Sequence, residues 1–257
     1  MFPAQRIEMI KNILRQQKSA DISTLTSMLG VSNVTIRKYL DQLEEEGFLT
    51  KVHGGAILAE TNETSDSSET DIFDKTNRQI ADLAAQLIED NETVFLGPGN
   101  ACCHLASCLL EKKNITIVTN SIPAAEILGP YIDNIFFLGG KIVHNSDAFF
   151  TIGPTLIQEL ENMFVSKAFF TPSGIDSFAG ITIDNPLLLP LYQTLDKISK
   201  QTVILADASH FDKIALNRLS EITHYSTYVT GSDVSEDYKT FFFNHNIKLL
   251  TAYDISI

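Results

Sequence analysis

Long apolar runs are missing from this chain: NIFFLGG and TVILAD are among the longest, far short of the roughly 18–20 residues that cross a bilayer as a helix. That excludes a membrane-spanning helix and leaves no expected membrane partner. The start, MFPAQRIEMIKN, has no basic segment followed by an apolar one and a small-residue cleavage site, so a cytoplasmic protein is expected. Cysteine is scarce. Cys102, Cys103 and Cys108 are odd in number and crowded into one segment, which argues against a disulfide framework and for reduced thiols. Their grouping with His104 does not follow a structural-zinc spacing, so no metal and no cofactor are expected. Excess positive charge is also absent. A formal net charge of -13 argues against non-specific affinity for nucleic acid.

What is present is unevenly spread. The 257 residues exceed one typical domain of roughly 100–200, and 44% hydrophobic content supplies a core. A small module beside a larger one fits. Within residues 1–60, Arg6, Lys11, Arg15, Lys18, Arg37, Lys38 and Lys51 balance Glu8, Asp21, Asp41, Glu44, Glu45, Glu46 and Glu60, so the whole negative excess lies beyond. Between the two parts, AETNETSDSSETDI is polar, acidic and nearly without apolar residues, and cannot bury enough surface to offset its ordering entropy. The expected division is residues 1–58, a flexible acidic linker over 59–72, and residues 73–257.

In the first module Ile7, Ile10 and Leu14 share one helical face, and Ile22, Leu25 and Leu29 repeat that spacing in a second helix. Asp21 suits the start of that second helix and Gly30 its left-handed stop. Only Val31 then precedes Ser32, a good N-cap, so the turn into the third helix is tight. Ile36, Leu40 and Leu43 form the buried stripe of the third helix, and Gly47 ends it. Asn33, Thr35, Arg37 and Lys38 lie off that stripe, on the early turns where backbone N–H groups favour an anion. Arginine can read guanine bidentately, asparagine can read adenine, and lysine meets phosphate. Glu44 to Glu46 crowd the opposite end, so a helix entering a major groove would do so amino end first. FLTKVHGGA then offers a short strand, Lys51, His53 and a Gly-Gly turn, as a wing would. A three-helix protein-interaction module with a solvated polar face would carry much of the same composition.

The detail of VS at 31–32, TIRKYL at 35–40, LEEEG at 43–47 and KVHGGA at 51–56 resembles the winged helix-turn-helix of the DeoR family of bacterial transcriptional regulators. The resemblance implies duplex DNA as partner, contacted through Ser32, Asn33, Thr35, Arg37, Lys38, Lys51 and His53. Lys38 and Tyr39 stand where the family usually has Arg-Asp, and Lys51 replaces its wing arginine. Charge is kept while bidentate geometry is lost, so operator preference should differ from the family's typical one.

Beyond the linker, TVFLG, ITIVTN, NIFFLGG, KAFFTPSG, TVILAD, YSTYVTG and IKLLTA alternate with helical stretches. Continuous apolar strands alternating with helices indicate an α/β fold with a parallel sheet covered on both faces. Ligands of such sheets bind at the carboxyl ends of the strands. Gly97, Gly99 and Asn100; Thr119, Asn120 and Ser121; Gly139 and Gly140; Gly174 and Asp176; and Asp207, Ser209 and His210 are therefore candidates for an effector site. Strand-end glycines also serve as plain turns, and aspartates there as helix caps. Paired phenylalanines at 136–137, 149–150 and 169–170, and the triplet Phe241 to Phe243, read as core or subunit contact.

These segments follow the order of the sugar-phosphate-sensing domain of the DeoR family, which resembles ribose-5-phosphate isomerase in fold. With the N-terminal module, the resemblance spans nearly the whole chain. It implies a regulator controlled by a sugar phosphate or related metabolite, bound to paired half-sites as a homodimer or homotetramer, with no catalytic residues. Two loops depart from the pattern. The family's Asp-x-Gly followed by two hydroxyl residues is replaced by Gly97-Pro98-Gly99-Asn100-Ala101, which has fewer donors, and the lysine after Asp-Ser-Ser by His210. Pro186 and Pro190 stand where the family commonly opens a helix with polar residues. The alternatives are an isomerase-like enzyme, disfavoured by the lack of a general base and lysine pair over one site, and a metabolite-binding protein without DNA contact.

Overall fold

The computed structural model describes residues 6–7, 9–11, 13–14, 19–45, 48–52, 54–58, 67–144 and 148–251, the side chains at 45, 58 and 67–74 excepted. Two compact units result, Met1–Glu69 and Thr70–Ile257.

The smaller unit contains helical residues within 6–14 (α1), β1 (Ser19–Asp21), α2 (Ile22–Leu29), α3 (Asn33–Glu45), β2 (Leu49–Val52) and β3 (Gly55–Leu58). The Asp21 carboxylate accepts from the Thr24 amide at 2.8 Å and closes the start of α2. Gly30 takes the left-handed conformation at its end, with φ of 63°. Ser32 opens α3 as expected: its carbonyl accepts from the Ile36 amide at 3.0 Å and its hydroxyl from the Thr35 amide at 3.3 Å. Ile10, Leu14, Leu25, Leu29, Ile36, Leu40 and Leu43 bury the expected stripes in one core, and Val31 packs against it. The wing strands pair antiparallel, and β1, absent from the sequence reading, adds a third strand in the order β1-β3-β2. Its approach explains one glycine. A Cβ on Gly55 would lie 2.5 Å from the Ala20 carbonyl oxygen.

Of the expected linker, 59–66 lies outside the described residues. Residues 67–72 are a correction: they form the start of α4 (Ser67–Ala85) rather than flexible chain.

The larger unit holds a seven-stranded, wholly parallel sheet. Its strands are β4 (Thr93–Leu96), β5 (Thr116–Thr119), β6 (Ile135–Phe137), β9 (Val165–Phe170), β12 (Ser199–Ala206), β14 (Thr227–Thr230) and β15 (Lys248–Thr251). All seven apolar runs are these strands. Successive side chains divide between two cores. Phe95, Phe170, Ile204 and Tyr228 face one, with α7 (Pro154–Leu160), α8 (Leu188–Ile198) and α9 (Glu236–Asn244); Val94, Leu96, Phe169, Val203 and Val229 face the other, with α4, α5 (Asn100–Cys108) and α6 (Ile122–Leu128). Both faces are covered, so the strands have no polar alternation to show. Two antiparallel additions were not legible: β7 (Lys141–His144) with β8 (Phe149–Ile152), and β10 (Gly174–Asp176) with β11 (Gly180–Ile183) and β13 (Asn217–Ser220). Phe150, Phe169, Phe170 and Phe242 are core, whereas Phe136, Phe137, Phe149 and Phe243 are exposed.

The order β15-β14-β12-β9-β4-β5-β6 contains one reversal. From β4 the chain steps outward to β5 and β6, then returns to lay β9 on the other side of β4. Connections on either side of this pair leave opposite faces, and a crevice opens at their carboxyl ends.

Candidate nucleic-acid interface and effector crevice

On the smaller unit, packing of Ile36, Leu40 and Leu43 turns the opposite face of α3 outward, and Ser32, Asn33, Val34, Arg37, Lys38 and Asp41 are exposed along it. The Asn33 side-chain oxygen accepts from the Thr26 hydroxyl at 2.7 Å, which fixes its direction toward α2. Thr35 is half-buried and its hydroxyl shares a 3.0 Å hydrogen bond with that of Ser32, so it also serves the helix cap. Lys51 already has partners within the unit. Its ammonium lies 2.6 Å from Asp41 and 3.0 Å from Glu44, while its amide donates to Glu44 at 2.9 Å. Hydrogen bonds donated to Asp41 and then to Glu44 raise the ammonium above its usual value, and the Lys51 amide and ammonium lower the Glu44 carboxyl. Lys51 thereby ties the wing to α3. His53 lies outside the described residues.

On the larger unit, the crevice at the β4–β9 reversal has a volume of about 130 Å³. Its walls include Pro98, Gly99, Thr171, Asp184, His210 and Lys213. That is below the roughly 300–1,000 Å³ of ordinary ligand pockets, so it takes one end of a ligand. Gly99 caps α5 without a side-chain hydrogen bond, leaving the positive end of that helix dipole to the crevice. A Cβ on Gly99 would meet the Thr171 hydroxyl at 3.1 Å, and that hydroxyl is buried without a hydrogen-bond partner. Tyr192 closes the floor, stacked on Phe170 at 3.9 Å.

Of the effector candidates, Gly99 and His210 line this crevice. The others lie outside its lining, and most of them have local contacts of their own. Gly97 fits against Phe169 and Phe170, its amide donating to the Phe169 carbonyl at 2.8 Å. Asn100 begins α5 and is exposed. Thr119 donates to the Leu96 carbonyl at 2.7 Å, and Ser121 caps α6. Asn120 is fully buried and donates to the Thr151 carbonyl at 2.8 Å, its oxygen left without a partner. Gly140 and Gly174 allow close backbone approach of Ile152 and Lys213, and Gly139 meets nothing nearby. Asp176 accepts from the Phe178 and Ala179 amides at 2.9 and 2.8 Å, which makes it the former of the β10–β11 turn. Asp207 accepts from the Ser209 amide at 2.9 Å, the Ser209 hydroxyl at 2.6 Å and the His210 ring at 3.0 Å. Asp207 and Ser209 therefore position His210. Burial alone would raise the Asp207 carboxyl; the His210 and Ser209 hydrogen bonds outweigh it and lower it.

Sequence reasoning missed Thr171 and Asp184, and of Lys213 it reached only the nearness in sequence to His210, three residues before it. The crevice also brings an acid and a lysine to one lining, the combination found wanting in the sequence. Burial raises the Cys102 thiol to about 12, consistent with an inert helix-face cysteine. Among the described residues no group of acids, histidines or cysteines could hold a metal, and no helix is long and apolar enough to cross a membrane. A larger open groove of about 770 Å³ runs past Asp196, Arg218 and His224. Asp196 there meets Tyr225 and His224 at 3.2 and 3.1 Å and Arg218 meets Glu221, and the groove flanks the last turns of α8, away from the carboxyl ends of the strands.

The model of the DeoR C terminal sensor domain matches residues 72–232, and that of the DeoR-like helix-turn-helix domain matches residues 6–62. The chain belongs to the DeoR family. It is a DNA-binding transcriptional regulator with a sensor domain. Among relatives, a Lactose phosphotransferase system repressor of Staphylococcus aureus is 30% identical over 79% of this chain and 78% of its own length. The HTH-type transcriptional regulator FruR of Bacillus subtilis is 28% identical, covering 91% and 93%. A solved D-ribose-5-phosphate isomerase is similar over 53% of each chain, with a TM-score of 0.39 and 15% identity.

Proposed function

We propose that this DeoR-family member represses genes of sugar uptake or catabolism and is released from its operator by a phosphorylated sugar or related anionic metabolite. The anionic end of the effector sits in the crevice at the β4–β9 reversal, where Lys213 supplies a positive charge. The observation that carries this is the convergence of Lys213, the uncapped start of α5 and the partnerless Thr171 hydroxyl on one small crevice. Relatives named as sugar-system repressors, such as the lactose phosphotransferase system repressor, support the carbohydrate assignment. Arg37 and Lys38 at the amino end of α3 enter the major groove, Arg37 reading a base and Lys38 meeting phosphate. A lone winged helix makes few contacts, so the working species is a homodimer or homotetramer on paired half-sites.

The test is fluorescence anisotropy of the full chain on duplexes from upstream of its own and neighbouring genes, titrated with pentose and hexose phosphates and with the corresponding free sugars. Release by a phosphorylated sugar and not by its free counterpart is expected; equal response to both would remove the phosphate assignment.

A second reading, an isomerase-like activity, draws on Asp184 and Lys213 lining one crevice. Incubation with the same sugar phosphates distinguishes it, because a sensor binds without turnover and an isomerase equilibrates aldose and ketose.

A further inference from the structure

The amino end of α3 presents one apolar side chain among its polar ones. Val34 is 66% exposed, and Arg37 and Lys38 follow it at i+3 and i+4 on the same face. It lies outside the core of the smaller unit, which Ile36, Leu40 and Leu43 complete on the opposite side of the helix. Asn33, the residue on this face able to pair with adenine, is turned toward α2 by its 2.7 Å bond from Thr26. An A·T pair also offers the major groove an apolar feature, the thymine 5-methyl group, and a β-branched side chain with two methyls is its complement.

We infer that Val34 is a specificity-determining residue that packs on the methyl of a thymine in each operator half-site; this rests on the reading of α3 as the helix in the groove. Position follows from geometry. Three residues advance a helix by about 4.5 Å, and bases are spaced about 3.4 Å along a strand, so the thymine lies one to two base pairs from the base read by Arg37.

Operator duplexes are selected from a random pool with the full chain, and each thymine is then replaced singly by deoxyuridine, which deletes only the methyl. One replacement per half-site should weaken binding about fourfold, the value of one buried methyl-sized group. Val34→Ala should bind the thymine and uracil duplexes equally, and Val34→Ile should retain the preference. Indifference of the wild-type chain to uracil at every thymine, or a preference that survives in Val34→Ala, overturns the inference while leaving groove binding by α3 in place. Failure to select any duplex removes both.

Discussion

Arg37 stands exposed on α3, whereas Lys51 is held between Asp41 and Glu44, so two cations of one unit should contribute differently to DNA affinity. Arg37→Ala is expected to weaken operator binding by roughly 5- to 150-fold, the order of a lost base contact of about 1–3 kcal/mol. Lys38→Ala should reduce the slope of log affinity against log salt by about one per engaged protomer. Lys51→Ala should leave that slope nearly unchanged, because its charge is already neutralised by two carboxylates. Anisotropy titrations at several salt concentrations separate the three. Asp207 gives a pH test on the other unit. Its carboxyl is lowered from the ordinary 3.8, so the stability it contributes is present above that value and is lost as pH falls through the lower folded one. Asp207→Asn should therefore melt below wild type near neutral pH, by the order of a charged hydrogen bond, about 1.5–3 kcal/mol. The gap should close in melting curves taken progressively below pH 3.8.

At the scale of elements, the wing depends on a crossing as much as on its hairpin. Gly55 lies under the Ala20 carbonyl, so Gly55→Val must separate β1 from β3. It is expected to lower the stability of the smaller unit by several kcal/mol and to abolish operator binding, while ligand-dependent stabilisation of the larger unit persists. Differential scanning fluorimetry with and without effector, beside anisotropy, measures both. The elements themselves were largely legible. Helix faces in the smaller unit follow from 3.6-residue spacing, and the seven central strands from apolar runs too short for helices and too continuous for a half-exposed sheet. β1 was not, because SAD has no strand pattern and exists through its pairing with β3. The crevice was legible at two positions only. Gly99 and His210 sit at strand ends, but Thr171 joins them through the placement of β9 beside β4, and Lys213 through that of β12 beside β9, non-local pairings that no local periodicity encodes. Several strand-end glycines and aspartates also serve close backbone approach and turns, which use the same residue types as ligand loops.

For the whole molecule, the charge distribution and the division into two units set what regulation requires. The balanced smaller unit and the strongly acidic remainder leave little non-specific attraction to DNA, so occupancy must come from specific base and phosphate contacts and is readily tipped. An effector bound in the larger unit alters operator affinity only if it prefers one of two states of the protein, and linkage then requires the operator to alter effector affinity by the same factor. Measured both ways on one preparation, operator affinity with saturating effector and effector affinity with saturating operator should change by equal factors, on the order of 5- to 150-fold. Lys213→Ala removes the charged end of the crevice without touching α3. It should keep the operator affinity of the effector-free wild type and require much higher effector to release DNA. Lys213→Arg, keeping charge but changing the shape of the donor, should restore part of the response. If Lys213→Ala released DNA at the wild-type effector concentration, the anion would be held elsewhere, and the crevice would be a structural gap at the reversal of the sheet.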